Sequence, residues 1–168
     1  VGTAVISRLH TGPARQRGVA AIEFAFVFLL GVLPLLLITL AGILIFAAQQ
    51  SLALASAEGA RAALQYGTVA QRQRNACNAA QRSMSWLFAF SGESANCGTP
   101  PAPGGNYAPI AVSAATPCPS NAAMQCITVV ASFDYNTHPF IPGATALYGW
   151  LMKSNLSSSA TVQLDLGT

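Results

Sequence analysis

Charge is what this chain has least of. Lys and Arg number 8 and Asp and Glu 5 in 168 residues, 8% in all, where soluble domains carry about 25%. The resulting net charge of +3 is too mild for the basic surface that a nucleic acid needs. The acids Glu23, Glu58, Glu93, Asp134 and Asp165 are scattered, so no pair is spaced for acid–base catalysis. His10 lies near the start, and His138 stands beside Pro139 with Asp134 four residues earlier; a loop histidine so placed normally faces solvent. No phosphate-binding loop and no C-x-x-C pair occur, and 19, 20 and 7 residues separate successive cysteines, spacings that fit zinc poorly. The chain is therefore expected to have no catalytic residue, no metal and no cofactor.

What the chain does have is a long apolar run. After Glu23 no charged side chain appears until Glu58, and from Phe24 to Ala48 only Thr39 brings a side-chain polar group. As a helix the run is about 37 Å long, enough to cross a hydrocarbon core of about 30 Å. The mean hydropathy of +0.46 agrees. One transmembrane helix is expected over residues 19–50. A secretory signal's apolar region runs only about 7–15 residues, so the span is expected to stay in the mature protein. Pro34 would cost a soluble helix about 3 kcal/mol. In a membrane, local backbone adjustment satisfies the freed carbonyl, and a kink is expected instead of a break. Gly31 and Gly42 offer points of close approach for another helix.

Arg8, Arg15 and Arg17 precede this run and no acid does. Cations beside a span stay on the cytoplasmic side. Residues 1–18 are thus expected to be a cytoplasmic leader, and the chain beyond about residue 51 to lie outside. Cys77, Cys97, Cys118 and Cys126 all follow the span, on the side where disulfides persist. Four cysteines allow three connectivities. Chain order favours Cys77–Cys97 and Cys118–Cys126, each closing a local loop.

The helical pattern continues past the run. Residues 47–66 are rich in Ala and Leu, strong helix formers, and Ala76, Ala80, Met84 and Leu87 recur at helical spacing, a stripe best read as core packing. The economical reading is one helix from about Val19 to about Phe88 that projects well out of the bilayer, its outward extension covering 51–90 and Gly67 being the candidate break. Residues 91–122, with six prolines, predict a long irregular loop embedding a short strand at Ile110–Ala114. Cys126–Tyr135 is the strongest strand signal, with Ile127, Val129, Ala131, Phe133 and Tyr135 on one face. A short helix carrying Leu147, Trp150 and Leu151 and a second strand over Ala160–Leu166 follow. The expected fold class is α+β: a long N-terminal helix packed on a small antiparallel sheet, with a disulfide-stabilised head over 91–168. Asn155-Leu156-Ser157 fits a glycosylation pattern that is common by chance.

The start of the span carries a more specific pattern. Gly18, then Val19-Ala20-Ala21-Ile22, then Glu23 and Phe24, resembles the processing site of type IV pilin-like proteins. More narrowly, RGVAAIEFAFVFLLGVLPLLL is similar to the start of TadE-like proteins, the pseudopilins of Flp/Tad pilus systems. Ala57-Glu58-Gly59-Ala60-Arg61 resembles a run that follows the span in that family. The strand TVVASFDY and Ser159-Ala160-Thr161-Val162 loosely resemble its C-terminal pattern. The resemblance implies a pilin-like lollipop in the bacterial inner membrane. It also implies cleavage between Gly18 and Val19 by a membrane prepilin peptidase. Glu23, with Phe24 beside it, would then serve assembly by meeting the amino terminus of a neighbouring subunit. Physics adds a motive, since a carboxylate at a membrane helix centre costs about 2.5–3.5 kcal/mol and seeks a partner. The plainer account is that Glu23 marks the cytoplasmic interface, where hydration is cheap.

Two functions follow from different classes. The first is a non-enzymatic pilus biogenesis protein, a minor pilin or pseudopilin. Its partners would be the membrane, the peptidase, other pilins and the Tad assembly machinery, in a homo- or hetero-oligomer. The alternative is a single-pass anchored protein whose loop-rich head binds or senses a ligand.

Overall fold

The computed structural model describes residues 17–99, 108–135, 137–141 and 155–164. The chain falls into two units, Val1–Leu40 and Ala41–Thr168. Helix α1 (Arg17–Val27) and a π-helical turn (Phe28–Val32) belong to the first, and α2 (Leu33–Ala63) begins there and runs into the second. Pro34 explains the π turn. It has no N–H to give the Leu30 carbonyl, and its ring crowds that carbonyl. The helix widens one turn earlier, where the Leu33 N–H donates to the Phe28 carbonyl five residues back. The helix is thereby unbroken from Gly18 to Ala63, by the local adjustment expected of a membrane proline. The Thr39 hydroxyl donates to the Leu36 carbonyl at 2.9 Å, so this polar group is satisfied by its own helix.

In the second unit α2 buries one stripe: Ala41, Ala48, Leu52, Ala55, Ser56, Gly59, Ala60 and Ala63. Steps of three and four keep these positions on one side of the helix. Small residues there let other backbones come close. A Cβ added at Gly59 would lie 2.9 Å from the Val129 side chain and 3.1 Å from the Ala76 carbonyl oxygen, so only glycine fits.

The helix does not run on to Phe88 but is interrupted at Gly67, the candidate break. The chain turns after Ala63 through Gly67, whose φ of +152° suits glycine and where a Cβ would meet the Gln71 side chain at 2.8 Å. Thr68 then starts α3 (Val69–Ser83) with a capping box: its hydroxyl accepts from the Gln71 N–H, and its own N–H donates to Gln71 Oε1 at 2.9 Å. This reciprocal pair satisfies two donors that a helix start leaves open. From there the chain runs back along α2. Arg72 donates to the carbonyls of Ala63 and Gly67 at 3.3 and 3.0 Å, Ala76 lies against Gly59, and Trp86 in α4 (Ser85–Ser91) reaches Ser51. Residue numbers fall on α2 as they rise on α3 and α4, the signature of an antiparallel hairpin. Ala76, Ala80, Met84 and Leu87 are fully buried, as core packing requires. Folding back wins because the small faces of both helices can then be buried, whereas a straight extension would leave them in water.

The sheet is built on β4 (Asn121–Phe133). On one side β2 (Ile110–Val112) and β3 (Thr116–Cys118) pair with it end to end, and on the other side β5 (Leu156–Leu164), all antiparallel. Strand β1 (Cys97–Gly98) adds beyond β2 in parallel, so the sheet is mixed, not purely antiparallel as expected. The alternation read from the sequence holds: Ile127, Val129, Ala131, Phe133 and Tyr135 are all buried. They form one core with Ala48, Leu52 and Ala55 of α2, Ala76 and Ala80 of α3, and Leu156 and Leu164 of β5. The fold class is α+β, an apolar N-terminal helix whose C-terminal part packs on a mostly antiparallel sheet. Of 91–122, the described residues 91–99 and 108–122 hold β1, β2, β3 and the start of β4, more regular structure than an irregular loop. Pro117 is tolerated because β3 pairs on one side only among the described residues. The helix expected around Leu147 and Trp150 and the end of the second strand, Asp165 and Leu166, fall outside the described residues.

Candidate assembly and anchoring site

Gly18, Val19, Glu23 and Phe24 all lie on α1, so the four residues singled out at the start of the span share one rigid element. Val19 and Glu23 are four apart and therefore on one helical face. Both are exposed, and Phe24 is 70% exposed, its ring 6.2 Å from that of Phe28. A Cβ at Gly18 would meet nothing within 4 Å. Glycine at 18 is thus not demanded by packing within this chain, in contrast to Gly59. The same open space surrounds Gly31 and Gly42.

Every large apolar side chain described from Val19 to Leu40 is exposed, on all sides of the helix. A helix apolar all round, with none of the described residues covering it, suits a hydrocarbon solvent or the company of other helices. The candidate membrane segment is this stretch of Gly18–Ala63. Ala41 and Ala48, within the 19–50 assigned by hydropathy, are instead buried in the second unit, with Leu44 and Ile45 packed against its core. The run from Gly18 to Leu40 alone measures about 34 Å as a helix, still enough to cross a bilayer.

The Ala57–Arg61 run has a packing role. Gly59 and Ala60 are buried, while Glu58 and Arg61 form an ion pair at 3.0 Å on the outer side.

Cys77 is bonded to Cys97 and Cys118 to Cys126, the local connectivity that chain order favours. The first ties α3 to β1 and the second staples β3 to β4. By loop-closure entropy they contribute about 3 and about 2.5 kcal/mol. The disulfides mark an extracytoplasmic second unit. Beside the first lies an open groove of about 440 Å³ lined by Gln73, Arg74, Asn78 and Thr99. Gln73 is held by the Ser113 carbonyl at 2.9 Å, which leaves Arg74, exposed, as the charged group at the rim.

Among the described residues no three of His, Cys, Asp and Glu converge as metal ligands. The His138 ring lies 3.0 Å from the Thr137 hydroxyl, and its backbone N–H donates to the Asp134 carbonyl. It is held in a local turn.

No protein-family model matches the chain, and no curated protein or solved structure is detectably similar to it. What decides the class is architectural: an exposed apolar N-terminal helix whose continuation packs on a small, mostly antiparallel sheet. The fold is pilin-like. In this pilin-like chain the sequence signals missed one functional-looking feature, the outward aromatics of α4. Trp86 and Phe90 are 38% and 50% exposed, and the pattern Ser-Trp-Leu-Phe-Ala-Phe is too short for periodicity to reveal it.

Proposed function

We propose that the chain is a non-enzymatic pilus biogenesis protein, a minor pilin or pseudopilin resembling the TadE-like proteins of Flp/Tad systems. The observation that carries this reading is the helix from Gly18 to Leu40, apolar on every side and exposed among the described residues, with Glu23 the one charge within it. Such a helix is suited to lying in the inner membrane and, during assembly, against the helices of other subunits. Gly18 and Val19 flank the bond that a prepilin peptidase would cut. The freed amino group of Val19 would be a natural partner for the Glu23 carboxylate of a neighbouring copy, with Phe24 packing beside it. Open space at Gly18 means that packing does not require glycine there, and recognition by the peptidase would supply a reason.

N-terminal sequencing of protein extracted from membranes that contain the peptidase tests processing: the expected first residue is Val19, and an intact leader would refute the cut. Deletion of the gene is expected to abolish piliation, and Glu23→Ala is expected to fail in restoring it while leaving the head folded. The groove beside Cys77–Cys97 favours the second reading, an anchored ligand-binding protein. Full piliation in the deletion strain would turn the argument toward it.

A further inference from the structure

The two disulfides of the head differ in what can reach them. Cys118 and Cys126 are 3% and 6% exposed. Cys97 is exposed and Cys77 half-buried, and both line the groove of about 440 Å³ beside α3. Thiol–disulfide exchange needs one sulfur that an attacking thiolate can reach and another that leaves readily as a thiolate. Cys97 supplies the accessible sulfur. Cys77 supplies the leaving group: Arg74, one helical turn before it, is the one charge among the residues lining the groove, and a neighbouring cation favours a thiolate. Gln81 fixes the approach to Cys97, since its side-chain amide donates to the Ala95 carbonyl and lies 3.9 Å from the Cys97 sulfur. Cys97 also stands on β1, which among the described residues pairs with β2 alone and over two residues. The outer backbone edge of β1 is therefore open to a segment of an incoming protein, which can pair there as an added strand.

We propose that Cys77–Cys97 is a thiol-exchange site, opened and closed by a protein dithiol of the Cys-x-x-Cys class, while Cys118–Cys126 is purely structural. The partner's thiolate attacks the Cys97 sulfur, the Cys77–Cys97 bond breaks, and Cys77 leaves as a thiolate that takes up a proton from water. The partner's second thiol, giving up its proton, then attacks its own sulfur in the mixed disulfide and releases Cys97, which is protonated in turn. Two electrons and two protons pass to the chain and the partner is left as its disulfide; the reverse sequence closes the bond. Opening it removes the covalent tie between β1 and α3. With only two residue pairs to β2, β1 is then expected to leave and to expose the edge of β2, while β4 keeps its antiparallel partners. The proposal does not depend on the pilus reading; it needs only that the head meet a protein dithiol.

The test uses the full-length oxidised chain in detergent micelles and, as probe, thioredoxin kept reduced by its reductase and NADPH. After acid quenching and alkylation, peptide mapping is expected to show Cys77 and Cys97 freed at least about ten-fold faster than Cys118 and Cys126. In denaturant, where dithiothreitol reaches both bonds, the ratio should fall to within about three-fold. Equal rates in the folded chain, or a ratio that persists in denaturant, overturn the site. So does rapid cleavage by dithiothreitol with none by thioredoxin, since no protein dithiol then docks there. Thioredoxin with its second active cysteine replaced by Ser should be trapped on Cys97; trapping on Cys77 overturns the order of attack. Arg74→Gln is expected to slow trapping about two- to three-fold and Arg74→Lys to restore it, and an unchanged rate overturns the role given to Arg74. On opening, amide hydrogen exchange in β2 should rise at least about ten-fold while Ile127–Phe133 stays protected; unchanged exchange in β2 overturns the release of β1.

Discussion

Two halves of one helix have opposite fates. From Val19 to Leu40 the apolar side chains are exposed on every face; from Ala41 to Ala63 one stripe is buried against α3 and the sheet. The difference lies in the size and placement of side chains as well as in hydropathy, since Gln49, Gln50, Glu58 and Arg61 all fall in the second half. The first half is crowded with Phe, Leu and Val, whereas the second places Ala, Ser and Gly every third or fourth residue. Large side chains all round suit a fluid hydrocarbon solvent, which needs no shape match. A stripe of small ones suits a fixed neighbour at close range, because packing gains depend on contact distance. The glycines state the contrast most plainly, Gly59 being closed in and Gly18, Gly31 and Gly42 open.

The glycines also offer the largest test. Gly59→Leu is expected to destabilise the head by at least about 3 kcal/mol, since the carbonyl of Ala76 cannot move aside, whereas Gly31→Leu should change it by less than about 0.5 kcal/mol. Denaturant titrations of the full chain in detergent, followed by near-ultraviolet circular dichroism, would measure both; equal effects would erase the comparison. Replacing Cys77 and Cys97 together by Ser should cost about 3 kcal/mol in the same assay and leave membrane integration, read by alkaline extraction, unchanged.

Hydroxyls give a smaller contrast. Thr68→Ala removes the α3 cap and should cost about 1 kcal/mol, while Thr39→Val removes only a bond to its own helix and should cost the head nothing measurable. Smallest of all is the surface pair Glu58–Arg61, whose partners are 41% and 75% exposed. A double-mutant cycle is expected to return a coupling under about 0.5 kcal/mol. A value several times larger would mean that the run containing Gly59 owes its character to charge and not to close packing.

Much of this protein is legible from local pattern. The apolar helix declares itself because length and apolarity are read residue by residue, although its turns from Ala41 to Ala48 pack into the second unit. The face of β4 from Ile127 to Phe133 is legible for a similar reason, since a period of two has one buried solution. Two signals were present but easily outweighed: Thr68 and Gln71 spell a capping box just past Gly67, yet the Ala-rich stretches on either side read as one helix. Where propensity is high on both sides of a break, composition hides the turn.

Other features were settled by the tertiary structure alone. Asn121–Gln125 and Leu156–Ser159 have no strand-like composition; they are strands because β3 and β5 pair with β4 and align their backbone bonds. The parallel addition of β1 depends on where the Cys77–Cys97 bond holds the chain, and Trp86 reaches Ser51 only because α3 folds back. Sequence by itself determined what must avoid water, how long the apolar helix is and which strand face turns inward, because those follow from each residue's own transfer energy and from local periodicity. Which small residues meet, where the helix reverses and which aromatics remain outside depend on surfaces brought together from distant parts of the chain, and only the folded structure decided them.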